Sequence, residues 1–162
     1  MKTSILFAGV LAGLLLAGCK KDSSAPTPPF AATLDGKQLK LTGVMSKDIG
    51  SNGTYALLQI TAIVDGDSAR TLGLQIAYKD VVKGQTIDIA SDNGHAYIFY
   101  VSGAGLIYAT GYGTKSDVGK VTITENDHSR GKIAGTFSGV LKGMSDATQQ
   151  VTCTEGQFSA NY

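Results

Sequence analysis

YALLQITAIVDGDSARTLGLQIAY, residues 55–78, decides the fold. Ala56, Leu58, Ile60, Ala62 and Val64 keep a period of two, and Leu72, Leu74, Ile76 and Tyr78 resume it further on. A period of two is the strand period, because successive side chains of a strand point to opposite faces. Tyr55, Leu57 and Ile63 dilute the second face without breaking the first. Between the runs, Asp65-Gly66-Asp67-Ser68 holds the Asp-Gly pair that accepts the positive φ angles of a tight hairpin. The stretch predicts two long paired strands.

The same signals recur on both sides. FAATLDGKQLKLTG, residues 30–43, alternates at Phe30, Ala32 and Leu34, turns at Asp35-Gly36 and resumes at Leu39 and Leu41. Further strands are expected over 85–90, 95–102 and 106–112, with hairpin signals at Asn93-Gly94 and Gly103-Ala104-Gly105. A pair over 118–124 and 132–142 flanks a polar turn, and 151–154 and 157–162 close the chain. In the 132–142 strand, Ile133, Gly135, Phe137, Gly139 and Leu141 share a face, and the glycines beside Phe137 predict close packing or sheet bending. Nothing after the N-terminal run has a helical period. The expected fold is all-β: an antiparallel β-sandwich or flattened β-barrel of roughly nine to ten strands. It forms one domain over 30–162, with Phe137, Leu141 and Phe158 in its core.

The first 29 residues read differently. Lys2 precedes an apolar run over 4–17, shorter than the roughly 20 residues a spanning helix needs and without a polar face. Residues 1–18 are therefore expected to be a signal peptide. Leu16-Ala17-Gly18-Cys19 resembles a bacterial lipobox, which implies cleavage before Cys19 and acylation of that cysteine. Acyl chains contribute about 0.8 kcal/mol per buried methylene, so several of them make a lasting membrane anchor. Residues 19–29, rich in Ser, Thr and Pro, read as a tether of about 30 Å in extended polyproline form.

The start Cys19-Lys20-Lys21-Asp22 looks like lipoproteins of the Bacteroidota, among which a lysine followed by acids resembles a surface-export signal. Here only Lys21-Asp22 fits, because Ser23 stands where a second acid would. The expected location is the outer membrane, lipid-anchored, on the periplasmic face or the cell surface. Four motifs of the domain carry a wider resemblance. They are F-x-A-x-x-D-G (Phe30–Gly36), G-x-V-T-I-T (Gly119–Thr124), G-T-F-S (Gly135–Ser138) and T-x-G-x-F-S-x-x-Y (Thr154–Tyr162). In this order they look like a family of Bacteroidota lipoproteins, the DUF6252 type. The resemblance implies the β fold and the envelope location, and it transfers no catalytic residue.

Composition narrows the partners. Of 14 Lys and Arg residues, Lys2 lies in the signal, which leaves 13 against 13 Asp and Glu. A balanced charge without a basic stripe argues against nucleic acid. Cys153 has no cysteine to pair with once Cys19 is acylated, and a lone strand cysteine reads as a buried, inert thiol.

Groups for chemistry are sparse. His95 and His128 are the only histidines, both beside turn residues. Asp127, His128 and Ser129 are adjacent and cannot converge as a triad must. No spacing matches a zinc or calcium site, and no cofactor is expected. Tyr97, Phe99, Tyr100, Tyr108 and Tyr112 crowd two neighbouring strands, and exposed tyrosines stack on sugars or line apolar pockets. With Tyr97 and Phe99 on one face and Tyr100 on the other, at least one ring should face away from the core. Asp67-Ser68-Ala69 resembles an O-glycosylation sequon of exported Bacteroidota proteins, which marks Ser68. The expected function is a non-catalytic binding or interaction module with an envelope protein or glycan as partner. A lipocalin-like carrier of a small apolar ligand and, behind it, a hydrolase are the rival readings.

Overall fold

The computed structural model describes residues 29–51, 53–89, 95–111 and 119–162. Eleven strands form one antiparallel sheet, and no helix occurs among the described residues. They are β1 (Phe30–Leu34), β2 (Lys37–Gln38), β3 (Leu41–Ser51), β4 (Ala56–Val64), β5 (Asp67–Ile76) and β6 (Thr86–Asp88). The others are β7 (Ala96–Val101), β8 (Ile107–Ala109), β9 (Gly119–Asp127), β10 (Lys132–Gly143) and β11 (Gln150–Asn161).

β10 is the branch point. Its first part pairs with β9 and its end, Lys142 and Gly143, with β8, while β11 holds its other side. One arm runs β6-β9-β10-β11-β1-β2 and the other β8-β7-β5-β4-β3. Both arms lay their apolar faces on one continuous cluster. The sheet does not close into a barrel, which is the arrangement of a sandwich or flattened barrel.

The expected β4–β5 pair is present. Leu58, Ile60, Ala62 and Val64 are buried on the same face of the sheet as Leu72, Leu74 and Ile76 of the paired strand, with Tyr78 buried just beyond it. Asp65 (φ 53°) and Gly66 (φ 75°) make the turn, as do Asp35 (φ 49°) and Gly36 (φ 77°) between β1 and β2. Phe137, Leu141 and Phe158 lie in the core.

Three features differ from the expectation. The described residues form eleven strands, against roughly nine to ten. β3 has no strand signal over most of its length, because nearly all of it is exposed and no face imposes alternation. Gly43 (φ 58°) and Gly50 (φ 85°) sit at its two register shifts, and bulges of this kind blunt an edge strand against unwanted pairing. Finally, 151–154 and 157–162 are one strand. Thr154 and Glu155 both point outward because Glu155 (φ 52°) is an extra residue relative to β10 and to β1. The Asn93-Gly94 turn lies outside the described residues.

The glycines of this sheet have a specific use. Gly135 pairs directly with Phe158, Gly156 with Phe137, and Gly73 with Phe99, and each ring lies where the glycine lacks a side chain. A methyl group on Gly135 would overlap both the Thr122 carbonyl oxygen and the Phe158 ring. On Gly73 it would meet only the half-exposed Phe99 ring, which can swing outward. Gly135→Ala is therefore expected to destabilise by about 1–3 kcal/mol or more, and Gly73→Ala by clearly less. Urea unfolding of the two variants side by side checks this, and equal losses would contradict it.

Candidate functional site

Antiparallel pairing sorts the connections into two poles. The turn pole carries Asp35-Gly36, Asp65-Gly66, residues 102–105 and residues 144–149. The opposite pole carries Pro29, the β3–β4 turn, the segment after β5, the β9–β10 turn and Tyr162. Pro29 is pinned there, its carbonyl accepting from Ser159 N at 2.7 Å.

The tyrosines expected to gather at a site divide between the two faces of β7 and its neighbour. Tyr97 lies on the outer face, half-buried and stacked on Phe99 with centroids 6.2 Å apart. Tyr100 points inward, stacked on Tyr108 of β8 at 6.0 Å. Tyr112 lies outside the described residues. The four do not form one row, because Tyr97 and Tyr100 are three residues apart on a period of two.

Tyr100 and Tyr108 belong to a polar cluster at the turn pole. Arg70 Nε donates to the Tyr100 hydroxyl at 3.2 Å, and its guanidinium reaches Asp65 Oδ2 at 3.0 Å. Lys37 Nζ approaches the same oxygen at 3.4 Å. The Tyr108 hydroxyl donates to Gln149 Oε1 at 3.3 Å. The Lys40 backbone N–H, followed by Lys37 and Arg70, holds the Asp65 carboxyl below the usual carboxylate range. The Tyr100 hydroxyl is the main group that raises the Arg70 guanidinium further. Leu106, Ile107 and Met144 stand exposed at this pole, joined where Met144 N donates to Ile107 O at 2.8 Å. Ser68 is exposed there as well, beside the turn that Asp67 Oδ1 makes with Ala69 N at 2.9 Å.

The opposite pole holds a second cluster that sequence reading missed. The Tyr78 hydroxyl donates to Asp48 Oδ2 at 2.6 Å, and the Tyr78 ring packs on Tyr162 with centroids 4.2 Å apart. The Tyr162 hydroxyl lies 3.0 Å from Asn126 Oδ1 and 2.9 Å from His128 Nδ1. Asn126 Nδ2 in turn donates to the carbonyls of Tyr78 and Val81. Tyr78 holds the Asp48 carboxyl low, and that carboxylate raises Tyr78, while burial raises Tyr162. Both phenols stay protonated at neutral pH and act as hydrogen-bond donors that tie β3, β9 and the last residue together. Their spacing in the chain, from 48 to 162, leaves no local signal for it.

His128 is exposed and turns to Tyr162, while Asp127 Oδ1 accepts from Ser129 N, Ser129 Oγ and Arg130 N within its own turn. His95 packs against Tyr55, the two rings tilted with centroids 3.8 Å apart. Cys153 is fully buried beside Leu34 and Gly139, and burial pushes its thiol up to about 12. A cysteine activated for attack has its thiol lowered by a neighbouring cation or helix terminus. Among the described residues, no three of His, Cys, Asp and Glu gather as metal ligands. Cys19 lies outside the described residues. Comparison of the chain with family models, with curated proteins and with solved structures finds no match.

Proposed function

We propose that this chain is a lipid-anchored protein of the cell envelope, held in the outer membrane through Cys19. Its β domain serves as a non-catalytic binding or interaction module. The observation that carries the reading is the polarity of the domain. Its chain enters at Pro29, at the pole opposite the turns. A tether of about 30 Å attached there would leave the turn pole facing away from the bilayer. That pole displays the exposed side chains of Leu106, Ile107 and Met144 on the two segments that meet beside Tyr108, and exposed apolar side chains brought together mark interaction sites. The resemblance to Bacteroidota lipoproteins supports the same location. A buried, protonated thiol and two protonated phenols supply donors and packing rather than a nucleophile.

Cys19→Ala is the direct test. The wild-type protein is expected in the membrane pellet and labelled by palmitate. The variant is expected unlabelled, either soluble or retained as an uncleaved precursor. A wild-type protein that takes no label, or a variant that stays labelled, removes the anchor from this reading.

A further inference from the structure

We propose that the outer face of β9, β10 and β11 carries a binding site for a neutral saccharide. An open hollow of about 440 Å³ lies there, lined by Lys120, Thr122, Thr136, Ser138, Glu155 and Gln157 over a floor that includes Gly156. That volume falls within the roughly 300–1,000 Å³ of ordinary ligand sites. The inference rests on the reading of the domain as a binding module and gives that module a ligand class.

The bulge in β11 lies at the hollow. Glu155 has a left-handed backbone at φ 52° in the middle of a twelve-residue strand. The other two non-glycine residues with positive φ among those described, Asp35 and Asp65, occupy hairpin turns where an aspartate is at home. A glutamate held this way outside a turn is strained, and bulges beside binding sites re-aim side chains. Here the bulge brings the carboxylate across the face of the sheet, where Thr33 Oγ1 donates to it at 2.9 Å. Gly156, next along, leaves the floor without a side chain on the core side, where Phe137 fills the space.

The polar groups select the ligand. Register aligns Thr86, Thr122, Thr136 and Gln157 in one row across four strands, and Asp88, Lys120 and Ser138 in the next. The Thr86 and Thr122 hydroxyls are 3.1 Å apart. Apart from the bulge at Glu155, the strands at the floor are paired on both sides in the β9–β10–β11–β1 ladders, so an extended peptide finds no free edge to pair with. In the lining itself, side-chain hydroxyls, an amide, one ammonium and one carboxylate remain, with the Asp88 carboxylate opposite Lys120 just outside it. These match alternating donors and acceptors of sugar hydroxyls, and the threonine methyls offer contact to the C–H face of a pyranose ring. Lys120 and Glu155 offset each other, so an acidic ligand would meet the carboxylate and a basic one the ammonium. A neutral polyhydroxyl ligand meets neither conflict. Without an open aromatic ring in the hollow, binding should be weak, with Kd on the order of 0.1–1 mM.

The test uses the purified full chain on an immobilised array of neutral hexose and N-acetylhexosamine oligomers, with hexuronate oligomers alongside. Titration calorimetry follows on the neutral oligomer that binds best. Binding of a neutral oligomer is expected, lost when Thr136→Arg fills the hollow and weakened about tenfold by Glu155→Gln. Thr42→Arg, which adds the same charge on the exposed strand β3, should bind as the wild type does. No binding of any neutral oligomer at 10 mM (about ten times the weakest Kd expected of the site), preference for the hexuronates, or binding indifferent to Thr136→Arg would overturn the proposal. A palmitate-labelled, membrane-bound protein that ignores sugars would remove this inference and leave the anchor. A protein that binds sugars through this hollow but is never acylated would do the reverse.

Discussion

Phe137→Ala is expected to cost about 3–5 kcal/mol of folding stability. Phe137 is 3% exposed, its ring stacked on Phe30 at 5.4 Å and tilted against Phe158 at 6.5 Å. It also fills the space above Gly156, so truncation removes contacts to two neighbouring strands, β1 and β11, at once. The surroundings cannot collapse into the gap easily, because the paired backbones of β1, β10 and β11 fix its walls. Domains of this size have total stabilities of about 5–15 kcal/mol, so the loss is a large share. The chain has no tryptophan and its described cysteine is unpaired, so packing must supply what a disulfide would otherwise add. Urea unfolding, read as a shift in midpoint at unchanged slope, measures the effect. Phe137→Leu, which keeps most of the volume, should lose much less. A loss below 1 kcal/mol for the alanine variant (under a third of the usual range) would show that the three rings do not anchor the core.

The second large effect appears in alkali. Burial moves the Cys153 thiol from 9.0 to about 12, so the folded state keeps a proton that the unfolded chain releases. The stabilisation is complete below pH 9 and is lost as pH rises toward 12. Three pH units at about 1.36 kcal/mol each set a ceiling of about 4 kcal/mol. Tyr78, raised by its bond to Asp48, and Tyr162, raised by burial, act in the same direction above pH 10. Cys153→Ala isolates the thiol. At pH 8 the variant should be the less stable protein, through the lost sulfur contacts. Between pH 9 and 11 the wild type should fall faster, so that the gap narrows or reverses. A gap that stays constant over that range would mean that the thiol is ionised in the folded state.

Much of the sheet was legible because its information is local. In β4 and β5, one apolar residue at every second position is sufficient to define a strand and the face it buries. Asp65-Gly66 and Asp35-Gly36 mark their turns because few other residue pairs accept those backbone angles. The reading of Cys153 as a buried thiol had the same basis, since Val151 and Phe158 flank it in a strand. Glu155-Gly156, between the expected strands 151–154 and 157–162, reads locally as a gap. Whether such a pair ends a strand or bulges out of it depends on the neighbours that hold the ladder on either side.

The sequence by itself determined the strand class, the hairpin turns and the apolar positions that face the core, because each follows from alternation and backbone sterics within a few residues. Tertiary structure alone decided the rest. It made β3 a strand by supplying β4 as its partner, without any periodic signal of its own. It decided that the Tyr100 face of β7, not the Tyr97 face, is the core side, and set Tyr100 against Arg70 at one pole. At the other pole it joined Asp48, Tyr78, Asn126, His128 and Tyr162, which no spacing connects. It also laid Lys120, Thr136 and Glu155 around one hollow. The physical reason is that strand order and register are set by which edges meet over long loops. A side chain's partners across a sheet are therefore a property of that pairing, not of its neighbours along the chain.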